Sequence, residues 1–128
     1  LLKREVDLNK DFSKIDFTQK VEPYYIGRGL GIGSASYLMT DGKAIIFLKP
    51  KQNRTQKLSI TAKTHNEVVL KVYANRQYLG KLELKKASKT YDLSLGEMEN
   101  DEIVNVMLEI EGNKYSDPKI SFYEMSIQ

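Results

Sequence analysis

The stretch VVLKVYANRQYLGKLEL, residues 68–84, decides the fold. Apolar side chains fall mostly on alternate residues through Val68-Val69-Leu70-Lys71-Val72-Tyr73-Ala74 and again through Leu79-Gly80-Lys81-Leu82-Glu83-Leu84, with the turn residues Asn75-Arg76 between them. A period of two sends successive side chains to opposite faces of an extended chain, so each run reads as a half-buried strand. The same period recurs at residues 58–62, and further strands are expected at 15–21, 44–48, 90–95, 103–110 and 119–127. Turn signals at Asp41-Gly42, Asn53-Arg54, His65-Asn66, Gly112-Asn113 and Asp117-Pro118 punctuate them. About eight or nine strands with little or no helix predict an all-β fold, an antiparallel β-sandwich of the jelly-roll type. The one helix candidate, GEMEND at residues 96–101, reads better as a turn.

A chain of 128 residues is one domain in size, and no apolar run approaches the ~20 residues that cross a bilayer as a helix. It opens on Leu1-Leu2-Lys3-Arg4, without an initiator methionine or a signal-peptide core, which reads as a domain excised from a larger protein. With no cysteine there is neither a disulfide framework nor a thiolate site. The net charge of +3 comes from twenty basic and seventeen acidic residues that are largely interleaved. A nucleic-acid reader gathers its basic residues on one face, so that class is not expected.

The run IGRGLGIGSAS, residues 26–36, places glycines at 27, 29, 31 and 33. A dinucleotide fingerprint needs G-x-G-x-x-G leading into a helix, and a Walker loop needs a closing Gly-Lys-Ser/Thr. Both spacing and context fail here. Alternating glycines in an all-β chain instead mark a loop with positive φ angles, or a strand against which another group packs closely. Catalytic signatures are equally thin. His65, the single histidine, falls in a turn, and Glu97, Glu99, Asp101 and Glu102 form an acidic turn rather than two carboxyls held across a cleft.

Aromatic residues are the better lead. Eight tyrosines and four phenylalanines supply rings able to stack on sugars. Tyr24 and Tyr25 precede the glycine run, Arg28 lies inside it and Tyr37 follows it. The competing expectation is that one of Tyr24 and Tyr25 enters the core while the other seals its rim.

From Tyr24 onward the order of features resembles the galactose-binding-like jelly-roll domain appended to bacterial cell-surface glycan and phosphoglycerol transferases. The matching runs are GLGIGSASYLMTDGKAIIFL at residues 29–48, VVLKVYANRQYLGKLEL at 68–84 and, more loosely, SDPKISFYEMSIQ at 116–128. Arg76 stands where the family's turn glycine would. The resemblance implies a non-catalytic, extracytoplasmic module, tethered through its parent protein, that binds or positions a cell-surface glycan or anionic polymer for a neighbouring enzyme. Its expected contact residues are Tyr24, Tyr25, Arg28, Tyr37, Asp41 and Asn75. No cofactor is expected beyond a structural calcium, for which Asp16 and Glu124 are the candidate ligands. The rival expectations are a structural module that packs against its parent or a partner through an apolar sheet face, and a small glycan hydrolase.

Overall fold

Alternation becomes structure in KAIIFL, which forms β5 (Lys43–Leu48) and buries Ala44, Ile46 and Leu48 while Ile45 and Phe47 stay half-exposed. The computed structural model describes residues 13–21, 25–33, 36–40, 42–49, 54–98, 103–112 and 119–128. The other strands are β1 (Lys14–Asp16), β2 (Ile26–Arg28), β3 (Leu30–Ile32), β4 (Tyr37–Met39), β6 (Arg54–Thr64), β7 (Val68–Ala74), β8 (Gln77–Leu84), β9 (Lys89–Met98), β10 (Val104–Ile110) and β11 (Ile120–Ile127).

Two antiparallel sheets result. One runs β3-β4-β11-β6-β9, with β1 also paired to β11; the other runs β2-β5-β10-β7-β8. The orders β4-β11-β6-β9 and β5-β10-β7-β8 are those of a jelly roll, in which the chain winds back and forth between sheets. The inward residues of both sheets make one core. Phe17, Ile46, Leu58, Ile60, Leu70, Leu108, Phe122 and Met125 are essentially inaccessible to water. Phe17 lies between two rings, with centroids 5.5 Å from Tyr37 and 6.4 Å from Phe122.

The expected sandwich is therefore found, with differences at its margins. Eleven strands are seen among the described residues, because the glycine run is not a surface loop but two short strands in different sheets, and Tyr37–Met39 after it forms a third, β4. Gly29, at φ 82°, is the point where the chain passes from one sheet to the other. A Cβ there would lie 1.9 Å from the Lys43 carbonyl oxygen, so the position requires glycine for conformation and for room alike. At 15–21 only the first residues are strand; the chain then turns where Asp16 accepts hydrogen bonds from the Thr18 backbone and hydroxyl. In GEMEND, residues 96–98 continue β9 past a bulge at Leu95, with Gly96 at φ 76°, and the rest lies outside the described residues.

Candidate functional site

The two outward faces differ in chemistry. The six-stranded sheet shows water a polar lattice: Ser59 donates to the Asp92 carboxylate, the Thr61 and Thr90 hydroxyls lie 2.8 Å apart, and Lys57 pairs with Asp92 at 3.6 Å. The hydrogen bond from Ser59, and then the nearby Lys57 charge, hold the Asp92 carboxyl below the usual range.

The five-stranded sheet instead carries a line of rings and apolar groups across all its strands. Register aligns Tyr78 on β8 with Tyr73 on β7, Tyr73 with Met107 on β10, Met107 with Ile45 on β5, and Ile45 with Arg28 on β2. Tyr78 is 48% exposed and Arg28 exposed, while Tyr73, Met107 and Ile45 are half-buried. The Tyr73 and Tyr78 rings meet at 5.5 Å between centroids with a 59° tilt. Neighbouring strands lie about 4.8 Å apart, so the row spans roughly 19 Å. Gly27 on β2 keeps this face low beside Ile45 and Phe47, since a Cβ there would lie 2.9 Å from Ile45 Cγ2. Charges flank the row: Lys43 pairs with Glu109 at 3.5 Å and Lys81 with Glu111 at 2.6 Å. The close Lys81 ammonium draws the Glu111 carboxyl below its ordinary range, and Glu111 in turn raises Lys81.

The expected contact residues divide. Tyr25 and Tyr37 are each only 5% exposed, and the Tyr37 hydroxyl accepts a buried hydrogen bond from the Val21 amide at 2.9 Å. Their ring faces are packed within the protein, which corrects the expectation that these two stack on a ligand and gives Tyr25 the core role. Arg28 does join an exposed surface, at the end of the row. Asn75 is exposed, but its side-chain oxygen accepts from the Asn105 amide at 2.8 Å and ties the hairpin to β10. Tyr24 and Asp41 lie outside the described residues. The row was missed in the sequence although Tyr73 and Tyr78 bracket the Asn75-Arg76 turn. A two-residue turn pairs 74 with 77 and 73 with 78, and the buried alternation of Leu70, Val72 and Ala74 turns Tyr73 outward.

Asp16 and Glu124 are register partners across β1 and β11. They do not make a calcium cage. Asp16 is engaged by Thr18, which holds its carboxyl below the usual range, and the Lys14 ammonium sits 3.1 Å from Glu124. A cation there would face a resident ammonium with two carboxylates, where calcium takes about six to eight oxygens. Among the described residues no group of three or more His, Cys, Asp or Glu could hold a metal.

Two concavities lie away from the row. Glu67, Glu83 and Glu111 border a depression of about 420 Å³ at the far end of the five-stranded sheet. Lys85 pairs with Glu67 there at 3.7 Å, and Lys81 holds Glu111 ionised. A glycosidase acid needs the reverse, a carboxyl kept protonated by desolvation, so this arrangement does not supply one. The second, of about 460 Å³, is lined by lysines.

No protein-family model and no curated protein matches this chain. Solved structures do match. The module BiXyn10A CBM1 in its apo form superposes with a TM-score of 0.62 at 14% identity, covering 94% of this chain and 99% of that one. A CBM36 carbohydrate-binding module in complex with calcium and xylotriose gives 0.59 at 10% identity, covering 90% and 98%. A family 6 carbohydrate-binding module gives 0.56 at 10% identity, covering 91% and 93%. This chain therefore has the jelly-roll β-sandwich fold that these modules share. At these identities the likeness is one of fold.

Proposed function

We propose that this chain is a non-catalytic carbohydrate-binding module, held outside the cytoplasm by a parent protein, that positions a glycan for a neighbouring enzyme. The observation that carries the proposal is the row Tyr78, Tyr73, Met107, Ile45 and Arg28 across the five-stranded sheet. Rings and thioether offer apolar surface to the CH faces of pyranoses, and the Arg28 guanidinium at one end supplies hydrogen bonds to hydroxyls. Support also comes from the fold, since one similar module is seen with xylotriose. Among the described residues no group on this face is arranged to break a glycosidic bond.

Calorimetric titration with xylotriose and with cello-oligosaccharides tests it. Tyr73→Ala and Tyr78→Ala are each expected to weaken binding about two- to twelvefold, the worth of ~0.5–1.5 kcal/mol per ring contact. Tyr78→Phe keeps the ring and is expected to keep the affinity. Absence of binding to any cell-wall polymer at low salt and high protein concentration sinks the proposal.

A second reading, a structural module packed against its parent, is favoured at one place. Ile32 is 72% and Leu38 36% exposed on the β3–β4 pair, well away from the row. On that reading Ile32→Ser loosens the chain from its partner and the tyrosine variants do not.

A further inference from the structure

The cleft of about 460 Å³ opens where β6 turns into β7, at the other end of the sandwich from the Asn75-Arg76 turn. Lys63, Lys86 and Lys119 line it together with His65, Leu38 and Met39 supply apolar wall, and Ser121 contributes a hydroxyl. Among the described residues no carboxylate lines it. Elsewhere Lys14, Lys43, Lys57, Lys81 and Lys85 each pair with a carboxylate. Among the described residues Lys63 and Lys86 do not; the Lys63 ammonium lies 6.0 Å from the centre of the Tyr123 ring, an electron-rich face and not an anion. Lys119 sits at φ 56°, a conformation that is strained for lysine, and the His65 amide donates to its carbonyl at 3.4 Å. Lys63 and Lys86, without a carboxylate partner among the described residues, give the lining of this cavity a positive charge that an entering anion offsets.

We propose that this cleft is a binding subsite for an oxyanion carried on a saccharide, a uronate carboxylate or a sulfate ester. Lys63 and Lys86 take the anion, and Leu38 and Met39 take the apolar face of the ring that bears it. The choice of a saccharide as carrier rests on the carbohydrate-binding reading above. A phosphodiester strand would call for a continuous basic track, whereas beyond this cleft the lysines are interleaved with acids, and Lys14, Lys43, Lys57, Lys81 and Lys85 are paired to them.

Amide spectra of the ¹⁵N-labelled chain test the proposal with separate titrations of trigalacturonate, galactose 4-sulfate, neutral xylotriose and oligothymidylate. Trigalacturonate or the sulfate is expected to shift His65, Asn66 and Lys119 saturably, while xylotriose shifts Tyr73 and Tyr78 and leaves the cleft unmoved. The pair Lys63→Gln and Lys86→Gln is expected to weaken the acidic ligand about tenfold. The charge-matched pair Lys71→Gln and Lys89→Gln, outside the cleft, should leave that affinity within about twofold. Equal losses in the two pairs would reduce the effect to net charge and overturn the site. Cleft amides that ignore both acidic ligands while xylotriose moves the tyrosines defeat this subsite alone. The opposite pattern defeats the tyrosine row and leaves the cleft standing. Tighter binding of oligothymidylate than of either acidic saccharide overturns the assignment to a glycan.

Discussion

Asn75 and Arg76 occupy the β7–β8 turn at φ 48° and 73°, the paired left-handed geometry of a type I′ turn. Asparagine tolerates that region; arginine does not, and the left-handed conformation costs a non-glycine residue about 1–2 kcal/mol. Replacing Arg76 with glycine relieves the strain but loosens the unfolded chain, so Arg76→Gly is expected to stabilise by about 0.5–1 kcal/mol net. A higher urea midpoint with an unchanged slope checks it; a lower midpoint contradicts the strain argument. Gly29 is the converse. Its Cβ would meet the backbone of Lys43 and Ala44, which cannot swing aside as a side chain can. Gly29→Ala is expected to destabilise by more than about 2 kcal/mol, read from the same melts. The turn was legible in the sequence because its signal is local. The need for glycine at 29 and not merely near it was not, since the obstructing carbonyl comes from a strand fourteen positions on, in a pairing that only the fold creates.

At the level of strands, legibility followed length and burial. β7, β8, β10 and β11 run for seven or eight residues, so alternation has room to show. β2, β3 and β4 have three residues each, too few for a period to separate from chance, and β2 and β3 bury little. The tyrosines were misassigned for a related reason. Proximity in sequence to the glycine run brought Tyr25 and Tyr37 forward, whereas the parity of each strand decides which rings face water, and parity put Tyr37 beside Phe17 and Phe122. β11 joins β1, β4 and β6, so its inward side chains bear on most of one sheet. Phe122 on this strand is fully buried, and Phe122→Ala is expected to remove about 3–5 kcal/mol of stability. A loss below ~1 kcal/mol in equilibrium unfolding would mean that the Phe17, Tyr37 and Phe122 contact is not central to the core.

For the molecule as a whole, pH acts through a few surface groups that shift in opposite senses. Asp16, Asp92 and Glu111 are all held below their ordinary ranges, by Thr18, Ser59 and Lys81 respectively. A carboxyl whose folded value is depressed contributes stability above its unfolded value, about 4, and loses it as pH falls through the lower folded one. Lys81 is raised by Glu111, so its contribution is present below about 10.4 and is lost as pH rises through the higher folded value. Between roughly pH 5 and 10 these four groups therefore leave stability flat, with a decline on either side. The acid limb can be assigned. Asp92→Asn removes a titrating group while leaving an oxygen that can still accept from Ser59, so the fall in urea midpoint between pH 7 and pH 3 is expected to narrow in that variant. Lys81→Met removes the partner of Glu111 and is expected both to narrow the acid limb and to erase most of the alkaline one. Because the proposed sugar row and lysine cleft contain none of these four groups, the neutral-glycan affinity is expected to stay constant across the same flat window. A titration series with xylotriose at pH 7, 5 and 3 in which the affinity falls along the acid limb while the chain stays folded would instead tie binding to the charged flank of Lys81 and Glu111 and not to the rings.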